Sequence, residues 1–188
     1  MINKRKQHGA ALITGLIFMV VLTLLAVAAM RTTSLDEKMA GNALNQDAAF
    51  QAAEAALREG VLRVSTGTLT STSPFVAGCA GGLCLPATGS TPAWVSVFPF
   101  SPATTQSAVA QTYTGAALAG INNQQLTIQP QYIIELLPNV QVPNNGYSCR
   151  LGVTPSSGCN ATPFRVTARG WGLATEAQAT TQQTYLYY

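Results

Sequence analysis

The chain has 188 residues and a mass of 19.7 kDa, room for one ordinary domain plus a membrane segment but not for two large catalytic domains. Apolar residues make up 47% and charged residues only 9%, against about 25% in a typical soluble protein, so something other than charge solvates much of this surface. The net charge of +3 comes from Lys4, Arg5 and Lys6, and the seven basic and seven acidic residues beyond Gly9 cancel, which leaves a nucleic-acid-binding basic face without support.

Behind the basic cluster lies a run without a full charge, "AALITGLIFMVVLTLLAVAAM", residues 10–30. Its 21 residues span about 31 Å as a helix, the thickness of a hydrocarbon core of roughly 30 Å. Basic residues before it and the acidic pair Asp36-Glu37 after it predict a cytoplasmic N-terminus and export of everything beyond Arg31. A secretory signal has a shorter apolar region, of about 7–15 residues, followed by a cleavage site.

Helical character continues past the membrane. Residues 32–60, "TTSLDEKMAGNALNQDAAFQAAEAALREG", lack proline and are rich in Ala, Leu, Glu and Gln. Leu35, Met39, Ala43, Phe50, Ala53 and Leu57 follow a helical period, and Asp47, Gln51, Glu54 and Arg58 recur on another side, which predicts an amphipathic stripe with Phe50 on its apolar face. One helix from Ala10 to Glu59 would be about 75 Å long, with Gly41-Asn42 as its weakest point.

A basic leader ending in Gly9, an apolar helix starting at once and an amphipathic continuation together resemble a type IV prepilin N-terminus. Residues 9–60, with "VAAMRTT", "KMAGN" and "AFQAAEAALR", are similar to the PilX family of minor pilins, and "QYIIELL" and "PFRVTARGWG" resemble that family's final strands. The resemblance implies an α+β, type IV pilin-like fold: a leader over 1–9, a long helix over 10–60 with 10–30 in the membrane, and an exported domain over 61–188 packing an antiparallel sheet on the helix. It implies cleavage by prepilin peptidase between Gly9 and Ala10, N-methylation of Ala10, and an assembly helix presenting Thr14, Phe18 and Leu22. The expected partners are other minor pilins, the major pilin, a tip adhesin, the peptidase and the inner membrane, with no nucleic acid. The expected location is the bacterial inner membrane with the C-terminal domain in the periplasm, and the pilus after assembly.

One position departs from the wider pilin pattern. Major pilins usually carry a glutamate four residues after the new N-terminal residue, and here that slot is Thr14. A carboxylate inside a membrane is costly unless paired, and pilins are thought to pair it with a neighbour's terminal amine. Threonine cannot form that ion pair, which fits a tip or initiating subunit or, alternatively, an infrequent member of the shaft. Two other classes remain: a tip-type pseudopilin of type II secretion, usually larger and with acidic calcium loops, and an exported binding module on a plain anchor.

Beyond Gly60, Ser, Thr, Gln, Asn, Gly and Pro alternate with short apolar runs that read as strands and loops, and much of 67–130 is rich in turn-forming residues. "FRVTARGW" alternates as a half-buried strand, with Phe164, Val166 and Ala168 opposite Arg165, Thr167 and Arg169. Residues 131–137 and 179–187 are further strands. Four cysteines lie on the exported side, and Cys79–Cys84 with Cys149–Cys159 is the favoured of three pairings, each stapling a glycine-containing loop.

No catalytic set is legible. His8, the lone histidine, lies in the leader, so no Ser-His-Asp or Cys-His arrangement would remain in a mature chain. Glu135 and Glu176, the acidic residues beyond Gly60, are expected as cross-strand partners of Arg165 and Arg169 rather than as a glycosidase pair. Neither a metal nor any other cofactor is expected, and the aromatic residues, Trp94, Phe98, Phe100, Tyr113, Trp171, Tyr185, Tyr187 and Tyr188, are expected chiefly in packing.

Overall fold

The computed structural model of the protein describes residues 10–67, 69, 74–86, 91–99, 105–120, 124–142 and 159–187. Two compact units are present, Met1–Ala43 and Leu44–Tyr188. The elements in chain order are α1 (Ala10–Ser65), β1 (Leu83–Cys84), α2 (Ala93–Val97), β2 (Gln111–Thr112), β3 (Gln131–Leu136), β4 (Val140–Val142), β5 (Cys159–Trp171) and β6 (Gln178–Tyr187).

Helix α1 is longer than its sequence suggests. It continues without a break through Gly41-Asn42 and past Gly60, ending only where Gly67 takes a left-handed backbone (φ 69°). There the amides of Thr66 and Gly67 donate to the carbonyls of Leu62 and Val64, satisfying last-turn acceptors that a straight helix leaves open. Gly60 has a different use. A Cβ on it would fall 2.6 Å from Val166 Cγ1 and 3.0 Å from Tyr132 Cδ2, so its missing side chain is what admits the sheet.

The sheet has six strands and is built around β5. β3 pairs with Phe164 to Arg169 and β6 with Thr162 to Trp171, so these two lie on opposite edges of β5. β4 pairs with Cys159 to Ala161, beyond the end of β3. Pro163 sits at that junction. Both main-chain polar groups of a residue in an antiparallel strand face one neighbour, and the Pro163 carbonyl accepts from Leu137. Its missing N–H therefore omits the return bond to the Leu137 carbonyl, at the place where the β3 ladder ends and before the β4 ladder begins. The expected all-antiparallel sheet needs one correction: β1 joins β3 in parallel, pairing Leu83 with Ile134 and Cys84 with Glu135, while β2 joins β3 antiparallel.

Strand alternation sends Tyr132, Ile134, Phe164, Val166 and Ala168 to one face, where they meet Ala56, Leu57 and Val64 of α1. Each fully buried large apolar side chain there contributes about 1.5–3 kcal/mol. Besides Leu57 and Val64, the helix meets the sheet through its smallest residues, Ala49, Ala52, Ala53, Ala56 and Gly60, all buried. Phe50, expected on the apolar face, is instead 50% exposed. The reason is the approach at Gly170, where a Cβ would come to 2.3 Å from both the Ala49 carbonyl oxygen and the Ala53 nitrogen. Backbone nearly touches backbone, and no aromatic ring fits between.

The other face of the sheet is covered as well, so β5 is not half-buried as its alternation suggests. Cys79, Cys84, Ala93, Val97, Phe98, Ala110 and Ile133 form a second core over it. Glu135, fully buried, receives Arg165 Nε at 2.8 Å, the cross-strand pair expected from register, and also the Ala93 amide at 2.8 Å. Arg169 departs from expectation. Its partner is not Glu176, which is exposed in the β5–β6 turn; its guanidinium donates to the carbonyls of Phe98 (2.8 Å) and Pro99 (2.9 Å) and to Thr180 Oγ1 (3.2 Å). It also lies 5.2 Å from the Phe98 ring centroid, and burial lowers its pKa. A carboxylate thus holds the first amide of α2 and a guanidinium holds the carbonyls just after it, matching the helix's own polarity at each end.

Among the described residues one buried side-chain polar atom has no hydrogen-bond partner, Thr181 Oγ1 on β6. Thr181→Val keeps the shape and removes the orphaned hydroxyl, and is expected to raise unfolding free energy by up to about 1 kcal/mol in urea titrations of the detergent-solubilised protein. In the same assay Gly170→Ala is expected to lower it by about 1–3 kcal/mol, because neither the helix nor the strand backbone can yield the missing space.

Candidate assembly surface

In the first unit, α1 carries its apolar side chains uncovered all round. Leu12 is 82% exposed, Phe18 68% and Leu22 62%, and no residue from 11 to 44 is buried. A helix apolar on every side is stable only when lipid or other helices surround it. It is also the one helix among the described residues long and apolar enough to cross a membrane.

Its polar atoms are already satisfied locally. Thr14 Oγ1 donates to the Ala11 carbonyl (3.1 Å), Thr23 to Val20 (2.8 Å), and Thr32 and Thr33 both to Ala29 (2.8 and 3.0 Å). Such back-bonding hides hydroxyls that would otherwise be costly in hydrocarbon. The first charge along α1 is Arg31, followed by Asp36, Glu37 and Lys38.

Thr14, Phe18 and Leu22, four residues apart, share one exposed face of α1. Ala10 is the first residue of α1, its side chain outside the described set, and Gly9 lies outside the described residues. Cys79 and Cys84 are joined, with an S–S distance of 2.02 Å. Cys149 is outside the described residues, as is the side chain of Cys159, so their pairing is not described. Phe100 and Tyr188 are also outside; Phe98 and Trp171 are buried and Trp94, Tyr113 and Tyr185 partly so. No group of three or more His, Cys, Asp or Glu side chains comes together among the described residues.

Sequence reasoning missed a polar latch at the far end of α1. Glu59 accepts from the Thr114 amide (2.9 Å), Thr114 Oγ1 (3.0 Å) and the Tyr132 hydroxyl (3.3 Å), tying the loop after β2 and strand β3 to the helix. Burial is the main cause of the raised pKa of Tyr132, so the phenol stays protonated and keeps donating at neutral pH. Nothing local marked this contact, because its members are 55 and 73 residues apart.

Residues 8–58 match the family described as PilX N-terminal, and residues 80–187 match type IV pilus assembly protein PilX C-term. The chain belongs to the PilX family. No curated protein and no solved structure matches it significantly. As a PilX-family minor pilin it is a structural component of type IV pilus assembly that works with other pilus components, and its α+β architecture, one long helix against a mixed sheet, is pilin-like. The apolar half of α1 agrees with anchoring in the inner membrane.

An arginine at the middle of a span disfavours insertion by about 2.5–3.5 kcal/mol, whereas leucine favours it by a few tenths. Leu22→Arg is therefore expected to lower the carbonate-resistant membrane fraction of the PilX-family protein severalfold, measured by immunoblot, while Leu22→Phe leaves it unchanged.

Proposed function

We propose that this minor pilin primes or caps the pilus at the inner membrane, and thereby supports pilus biogenesis, twitching motility and adhesion. The reading is supported chiefly by Thr14. In the slot four residues after Ala10, where a carboxylate would need a neighbour's amine, stands a hydroxyl already bonded within its own helix. A subunit with no acidic group at that depth can lead a growing fibre without leaving a buried charge unpaired. The new amino terminus of Ala10, freed by prepilin peptidase cleavage after Gly9 and methylated, remains available to the next subunit. Retained apolar helices then pack side by side through faces such as that of Thr14, Phe18 and Leu22, and the exported domains select neighbouring minor pilins, the major pilin and a tip adhesin. The N-terminus stays cytoplasmic and the sheet domain periplasmic until the subunit enters the fibre.

Two measurements test this. Mass spectrometry of the protein recovered from sheared surface fibres is expected to find a chain starting at methylated Ala10; a chain starting at Met1, or one trimmed beyond Met30, would refute retention of the helix as an assembly element. Deletion is expected to reduce surface piliation and twitching severalfold at an unchanged level of major pilin, and normal piliation would remove the priming role.

A further inference from the structure

On the outer face of the sheet, away from α1, a cavity of about 240 Å³ is lined by Trp94 of α2, Thr167 of β5 and Thr180 and Gln182 of β6. Drug-sized sites occupy roughly 300–1,000 Å³, so this one has room for a single ring. Its polar groups are held in place by the packing described above. Gln182 Nε2 donates to Thr167 Oγ1 at 2.8 Å, which orients the amide and leaves its oxygen as an acceptor. Thr180 Oγ1 accepts from Arg169 Nε at 3.2 Å, which leaves the hydroxyl proton to donate. Thr180 and Gln182 are two apart on β6, about 6.5 Å along the strand, comparable to the breadth of a pyranose ring with its hydroxyls.

We propose that this cavity, with Trp94 as its aromatic wall and Thr180 and Gln182 as its polar rim, binds one neutral hexose unit of a glycan. An indole carries negative potential on its face and so attracts the C–H surface of a sugar ring, while a fixed acceptor and donor meet the ring hydroxyls. Charge argues against other ligands. Among the described residues no charged one lines the cavity, and Arg169, the cation behind it, is buried with its guanidinium given to Phe98, Pro99 and Thr180. Phosphate and carboxylate ligands thus find no counter-charge. A proline-rich peptide generally needs an aromatic-lined groove, and among the described residues a single aromatic side chain lines this cavity. The site lies within the exported domain and stands whether or not the subunit primes assembly.

Intrinsic fluorescence offers the test, because the chain has two tryptophans and Trp171 is only 1% exposed. The full-length protein, in a detergent without a sugar headgroup, is titrated with chitotriose, maltotriose, cellotriose and a proline-rich peptide. Expected is a saturable change in emission with at least one sugar at Kd on the order of millimolar, weakened tenfold or more by Gln182→Ala. The acetylated and unacetylated sugars distinguish an amino-sugar polymer from a glucan as the source. Should Gln182→Ala alter the far-UV circular dichroism, Gln182→Met retains side-chain volume and is read instead. No saturation by any sugar, equal titration curves for wild type and the folded Gln182 variant, or saturation by the peptide alone would overturn the assignment.

Discussion

The second unit depends on the closeness with which α1 meets β5. At Gly170 a single added carbon would lie 2.3 Å from helix backbone, and at Gly60 one would strike Val166 and Tyr132. Small residues on both surfaces remove the layer of side chains that normally separates helix from sheet, so dispersion contacts form between the main chains themselves. Everything else on that face follows. Around the Gly170 contact the residues of α1 that turn inward are alanines, Leu57 and Val64 pack on the sheet further along, and Phe50 turns partly outward. Trp171 and Phe164 are buried at positions flanking the contact on β5.

Burial on the opposite face follows another rule, in which charge takes the place of volume. Two guanidiniums and a carboxylate lie beneath the second core, a costly placement unless each finds partners. Glu135 finds Arg165 and the Ala93 amide; Arg169 finds two carbonyls, a hydroxyl and the face of Phe98. These bonds fix a five-residue helix too short to be stable alone. The layer they hold over the sheet brings Trp94 beside the polar row of β6 and so shapes the small outer cavity.

The first unit reverses the relation between surface and solvent. A soluble domain hides its leucines, whereas residues 11–30 display theirs and close their threonine hydroxyls onto their own carbonyls. Such a segment has no stable place in water. Membership in a family of pilus assembly proteins agrees with a place for it in the inner membrane.

The apolar span, the helix that continues from it and the strands at 131–136 and 178–187 were legible in the residues, because hydrophobic periodicity is a local property. The Glu135–Arg165 pair was legible too, since strand alternation places both on one face. Several features were not. The parallel docking of β1, the short helix α2, the true partners of Arg169 and the Glu59 latch all rest on groups far apart in the chain. The bare sequence thus determined which segments are apolar, helical or extended, for that depends on neighbours within a few residues. Only the tertiary structure decided which face of α1 is buried and where each inward charge ends, because those outcomes follow from the space and the partners that distant segments supply.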